Sequence, residues 1–189
     1  MKKLILTMIS LFAICITQTQ AWPESPKDLA SLQIDQLEAT IYGMGYLKGK
    51  NGHNIAQALY FRGKQHKIDP RVMVAIIAVE SSFRQDAVSP TGDISLAQIN
   101  PKTWGKEFKR LKRSPLDSKL TKSDETYAID RLGEILSILK SNHKHQMNWF
   151  GYYHSKTPSL RDDYSNKILQ EMAQYDQNLA NVGVLWASR

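Results

Sequence analysis

Apolar residues recur every three or four positions along most of this chain, and short stretches rich in Gly, Pro and Asn separate the periodic segments. That pattern predicts packed helices joined by turns. From Asp28 to about Lys48, Leu29, Leu32, Leu37 and Ile41 keep roughly helical spacing, and Gly43, Gly45 and Gly49 loosen the end. A second helix is expected from Asn54 to Lys67, with Ile55, Ala58, Leu59 and Arg62 marking its face. Asp69-Pro70 then supplies the strongest local start signal. Asp is a good N-cap, and Pro at the first helical position pre-sets φ while lacking only an N–H that would be unpaired anyway. Val72 to Val79 follows as eight uninterrupted apolar residues. Its β-branched content would suit a buried strand, but the cap and the length through Glu80 favour a helix. A helix apolar all round is a central one.

Downstream, Ser123 is expected to cap a helix carrying Ile129, Leu132, Leu136 and Leu139. Gln146 to His154 reads as a short aromatic-rich helix. Ser159-Leu160-Arg161-Asp162, after Pro158, resembles a capping box opening a long helix with Tyr164, Ile168, Met172, Tyr175 and Leu179 inward. No convincing alternating strand appears, and the lone Asn51-Gly52 falls between helices. The fold class is mostly α.

Composition matters once the first residues are set apart. Lys2 and Lys3, the apolar run Leu4 to Ile16 and the small-residue exit at Ala21 form a secretory signal peptide. The run is short for a membrane span, and Ile14 is too bulky before Cys15 for a lipidation site. Cleavage after Ala21 leaves 168 of the 189 residues, starting at Trp22. It removes two of the 25 basic residues, none of the 18 acidic ones and the single cysteine, so the net charge falls from +7 to +5. Disulfides, thiol chemistry and thiolate metal sites are thereby excluded. The overall 42% hydrophobic and 23% charged content excludes wholesale disorder. A basic balance suits nucleic acid, an anionic membrane or an acidic wall polymer. Export, to the periplasm or beyond, takes nucleic acid out of reach and leaves the wall or the lipid beneath it. The expected organisation is a signal over 1–21, a helical lead-in over 22–53, the main domain over 54–180 and a tail over 181–189.

Glu80 is the first candidate for chemistry. It ends an apolar helix, so its carboxylate lies near the negative pole of the helix dipole and beside hydrophobic surface. Both effects disfavour the ionised form and raise its pKa. A carboxyl still protonated near neutrality is what a general acid needs to protonate a glycosidic oxygen. The plainer reading is a solvated Glu in a last helical turn. Its neighbours decide between the two: Glu80-Ser81-Ser82-Phe83 precedes Ser89-Pro90-Thr91-Gly92, then Ser95-Leu96-Ala97-Gln98, with Tyr153-His154 and Tyr164 further on.

In that order and spacing, over roughly Asn54 to Tyr175, the chain resembles the SLT-domain lytic transglycosylases, relatives of goose-type lysozyme. The resemblance implies a lysozyme-like single domain with a sugar-binding cleft and a peptidoglycan substrate, without a cofactor or metal. It implies Glu80 as sole catalytic acid/base and Ser89 as orienting the substrate N-acetyl group. Gln98 would line the cleft, Tyr153 would hydrogen-bond near Glu80 and the reacting sugar, and Tyr164 would support the cleft from the closing helix. His154 belongs to the same substrate-binding set, at a position where the family usually has Asn. Each also has a plainer role: Ser95-x-x-Gln98 is a legitimate capping box, Ser89 a turn residue, and Tyr153 and Tyr164 core aromatics. Ser95 and Ala97 replace the family's usual Gly and Met, which puts the subsites in question and leaves the acid untouched.

The implied reaction needs one carboxyl. In the family this Glu protonates the bond between N-acetylmuramic acid and N-acetylglucosamine, and the N-acetyl oxygen assists. It then deprotonates the muramic C6 hydroxyl to close a 1,6-anhydro ring. Asp86 and Asp93 are the nearby acids for a second role, and both sit where Asp is an ordinary turn residue. A hydrolytic muramidase of the same fold is the rival enzyme. A catalytically idle wall-binding subunit of a secretion apparatus is the rival of another class. Tyr153 to Pro158 resembles the variant in transglycosylases that accompany secretion or conjugation machines, which would be a partner. His143, His145 and His154 do not make a metal set, since residues two apart on a helix diverge and no carboxylate completes them. The basic run Lys106 to Arg113 reads as a solvated face that also attracts an anionic wall. No phosphate loop, Ser-His-Asp arrangement or dinucleotide fingerprint occurs.

Overall fold

The computed structural model describes residues 26–47 and 51–187, and the expected export signal lies outside them. Seven α-helices form among the described residues: α1 (Pro26–Gly43), α2 (Gly52–His66), α3 (Pro70–Ser81), α4 (Pro101–Arg110), α5 (Ser118–Ser123), α6 (Glu125–Asn142) and α7 (Pro158–Ala187). A 3-10 helix, Trp149–Tyr153, precedes α7. Residues 88, 94 and 99 make isolated bridges, and the described residues contain no strand. The fold is mostly α, as the periodicity predicts.

Helix α3 forms where its cap places it. Asp69 is extended, its carboxylate accepts from the Arg71 amide at 2.9 Å, and Pro70 opens the helix. Val72 through Ala78 are all buried, so every face of this segment meets protein. Each large side chain withdrawn from water there contributes about 1.5–3 kcal/mol. At the far end Ser82 turns left-handed, with φ 52° and ψ 43°, and its amide caps the Ala78 carbonyl. Glu80 is thereby fixed in the last turn of the most buried helix.

Helix α7 packs along α3 and α1. Tyr164 meets Glu80 near one end, and Asp176 meets Arg71 at 3.2 Å near the other, so α3 and α7 run antiparallel. Ile34, Leu37 and Ile41 of α1 join the same core as α3, and α1 packs on both α2 and α7. No helix among the described residues is long and apolar enough to cross a membrane.

Three start signals shift. Ser123 closes α5, its hydroxyl donating to the Lys119 carbonyl at 3.0 Å, so Asp124 becomes the first extended residue and caps α6 through the Tyr127 amide. Pro158 is already the first residue of α7, which puts Ser159 inside the first turn. The Asp162 carboxylate accepts from Arg161 instead of returning to a cap amide. Ser95-x-x-Gln98 caps no helix: Ser95 and Gln98 both have positive φ, 72° and 49°, and close a tight turn. The helix starts at Asn100-Pro101, where Asn100 accepts from the Thr103 amide at 3.0 Å.

Candidate active site

Glu80 and a folded lip over residues 85–100 define the site. Ser81, beside Glu80, is buried and donates to the Leu96 carbonyl at 2.6 Å, tying the helix end to the lip. Ile94 and Ile99 exchange backbone hydrogen bonds at 3.0 and 2.9 Å, which closes the turn through Gln98. Gln98 braces that turn, its amide donating to the Ala87 and Ser95 carbonyls at 3.1 and 2.9 Å. Ser89 braces the neighbouring turn: its hydroxyl donates to Asp93 Oδ2 at 2.6 Å and accepts from the Asp93 amide.

Two tyrosines reach this lip and α3 from later in the chain. Tyr164 of α7 is buried, and its hydroxyl donates to Glu80 Oε1 at 2.7 Å. Tyr153 ends the 3-10 helix and donates to the Ala97 carbonyl at 2.6 Å, holding the lip rather than the carboxyl. Its phenol still feels the Glu80 charge: burial first, and then Glu80 and Asp93, push its pKa well above the ordinary value. Gly151 allows this placement, because a Cβ there would meet Ser165 Oγ at 2.2 Å and the Arg161 carbonyl at 2.8 Å. His154 is exposed and stacks on the Tyr164 ring, with centroids 4.9 Å apart and planes within 8°.

The electrostatics of the two acids diverge. Burial pushes the Glu80 carboxyl up to about 7, against a smaller opposing effect of the Tyr164 hydrogen bond and with a further push from the Asp93 charge. Burial also acts on Asp93, but hydrogen bonds from Ser89, Thr91 and Asn100 outweigh it and hold that carboxyl below its usual range. Asp93 is therefore an ionised, fully engaged brace, and Asp86 is exposed. Glu80 is the one of the three that is poised to give and take a proton near neutrality.

All six predicted residues thus gather at Glu80 or on the lip beside it, with Ser89 and Gln98 engaged inside the lip. Ser81 and helix α4 are not among the expected features; the signal for the first is a serine directly after the acid of a buried helix, and for the second Asn100-Pro101, which repeats the Asp69-Pro70 pattern. Elsewhere Asp35, Glu38 and His53 bring ligand-type atoms within 4.8 Å of one another on the surface. His53 Nδ1 lies 3.2 Å from Glu38 Oε2, the geometry of an ordinary exposed pair.

A helical, lysozyme-like domain with a proton-poised carboxyl beside a braced lip is the class this architecture defines. The chain belongs to the transglycosylase SLT domain family, whose model matches residues 58–153. The match takes in Glu80, Ser89, Gln98 and Tyr153 and stops short of His154 and Tyr164, which the fold brings in from the adjoining turn and α7. Membership implies transglycosylase activity on peptidoglycan in general terms. No curated protein matches the chain.

Proposed function

We propose that this protein is an exported peptidoglycan lytic transglycosylase in which Glu80 acts alone as acid and base. The observation that carries this reading is the Glu80 carboxyl, held near neutrality by burial at the end of α3 and anchored by Tyr164. In the first step the protonated carboxyl gives its proton to the glycosidic oxygen as the bond from muramic C1 breaks, with the N-acetyl oxygen assisting at C1. In the second the Glu80 carboxylate takes the proton from the C6 hydroxyl while O6 bonds to C1. The 1,6-anhydro ring closes, Glu80 is protonated again, and no water is consumed.

A hydrolase needs a carboxylate free to position water. Asp93 has its oxygens engaged by Ser89, Thr91 and Asn100, which favours the lyase over the muramidase. Export rests on the n-region, apolar run and exit at residues 2–21. Mass spectrometry of fragments released from purified wall tests the reaction: anhydro ends are expected, and reducing ends in their place would identify a hydrolase. Equal clearing of wall by wild type and Glu80→Gln, or none by either, would remove the enzyme reading and favour an idle wall-binding subunit of a secretion apparatus.

A further inference from the structure

Beside Tyr153 a groove of about 840 Å³ opens between α4, the end of α6 and the turn over residues 153–156. That volume suits a saccharide with part of a peptide. Its inner wall is aromatic: Tyr152 stacks on His143 with centroids 3.6 Å apart and planes within 4°. Tyr153 and His154 line it too, and His154 stacks on the Tyr164 that holds Glu80, so the groove shares a wall with the site. Its rim is cationic, made by Lys106, Arg110 and Lys156, with Glu107 as the one carboxylate. Arg110 takes that carboxylate with two contacts, at 2.9 and 2.5 Å. Hydrogen bonding to Arg110 lowers the Glu107 pKa, and the charge of Lys156 adds to the effect. No described carboxylate lies within ion-pair distance of Lys106 or Lys156, so the rim keeps two net positive charges.

Glycan rings are neutral and suit aromatic walls, while the charge of a wall strand sits largely in the carboxylates of its peptide stems. We propose that Lys106 and Lys156 recognise stem carboxylates, so that this protein selects stem-bearing glycan over stripped glycan. The inference rests on the peptidoglycan reading above and extends it to substrate selection. Charge complementarity is the argument: a polyanionic side branch of a neutral polymer meets a cationic rim on an aromatic groove that adjoins the Glu80 site.

The test measures binding of the full mature chain carrying Glu80→Gln to three polymers by co-sedimentation. These are native wall, wall with its stem carboxylates chemically amidated, and glycan strands freed of stems, which keep only the lactyl carboxylate. Native wall is expected to bind about fivefold tighter than either of the others, the scale of two exposed ion pairs. Adding Lys106→Glu and Lys156→Glu is expected to remove that preference while leaving binding to amidated wall unchanged. Equal binding to all three polymers overturns the proposal, as does an equal loss on native and amidated wall. Stripped strands binding as tightly as native wall would also overturn it. In parallel, wild type with Glu80 intact is assayed for anhydro ends on each polymer. Their release without selectivity sinks only the stem inference, and their absence from all three sinks the reading beneath it.

Discussion

Asp130 of α6 and Glu80 of α3 both lose most of their contact with water, and burial alone pushes both carboxyls up. At Asp130 the partners outweigh burial. His66 lies at 2.8 Å and Arg131 at 2.7 Å, Arg62 stands nearby, and the group is brought down to about 2. Gly133 admits His66 into this cluster, since a Cβ there would meet the imidazole at 2.6 Å. At Glu80 one phenol is the sole hydrogen-bond partner among the described residues, and the group ends at about 7. The α2–α6 interface uses its buried charge to fix two helices. The α3 end leaves its carboxyl without a cation among the described residues, and there protonation becomes a variable.

The largest expected effect separates the two in function. Glu80→Gln should lower release of anhydro fragments by about 10³-fold or more, with unchanged helix content by circular dichroism. Asp130→Asn should leave activity per folded molecule near wild type. It should cost about 1–3 kcal/mol of stability, read from the urea midpoint, because His66 and Arg62 lose their carboxylate while Arg131 keeps its pair with Glu134.

The opposite pKa directions give opposite pH dependences. Asp130 is lowered, so its contribution to stability is complete above the ordinary value of 3.8 and is lost as pH falls toward about 2. Glu80 is raised, so its neutral form is the one the fold accommodates. Stability is complete below 4.5 and declines as pH rises through about 7, where the buried charge forms. Glu80→Gln should therefore stabilise the protein by about 1–2 kcal/mol at pH 8, allowing for the part of the carboxyl that water reaches, and by nothing at pH 4. Thermal melts at the two pH values check this. Activity should follow the same protonation and fall as pH rises through about 7.

Tyr164→Phe carries the smallest change. It removes the hydrogen bond that favours the Glu80 carboxylate, so the alkaline fall in activity should move to higher pH. A loss of roughly fivefold in kcat/KM is expected, the scale of one hydrogen bond. A pH–rate profile that moved down instead would mean that Tyr164 does not act through this bond.

How legible this was depended on whether a signal was local. Asp69-Pro70 and the run from Val72 to Val79 fixed α3 and the place of Glu80, because a cap and a buried face act within a few residues. Ser95-x-x-Gln98 is the converse case. Its residue types fit a cap, but the chain closes there into a tight turn with both ends left-handed, and the side chains tied to that turn, Ser81 and Tyr153, lie 15 and 56 residues from their partners. The hydroxyl partners of Tyr153 and Tyr164 were beyond any spacing rule. They lie 56 and 84 residues away, and the packing of α7 and the 3-10 helix decides them.

The pinning of α7 against α3 has a mechanical consequence. Tyr164–Glu80 at one end and Asp176–Arg71 at the other make α7 a rod held at two points. A slip of one turn, about 5.4 Å, would release both pins at once, and a pivot about either would pull the other apart. The frame thus works as a fixed anvil. The lip is fastened to the same frame at Ser81 and Tyr153, like a latch on two catches.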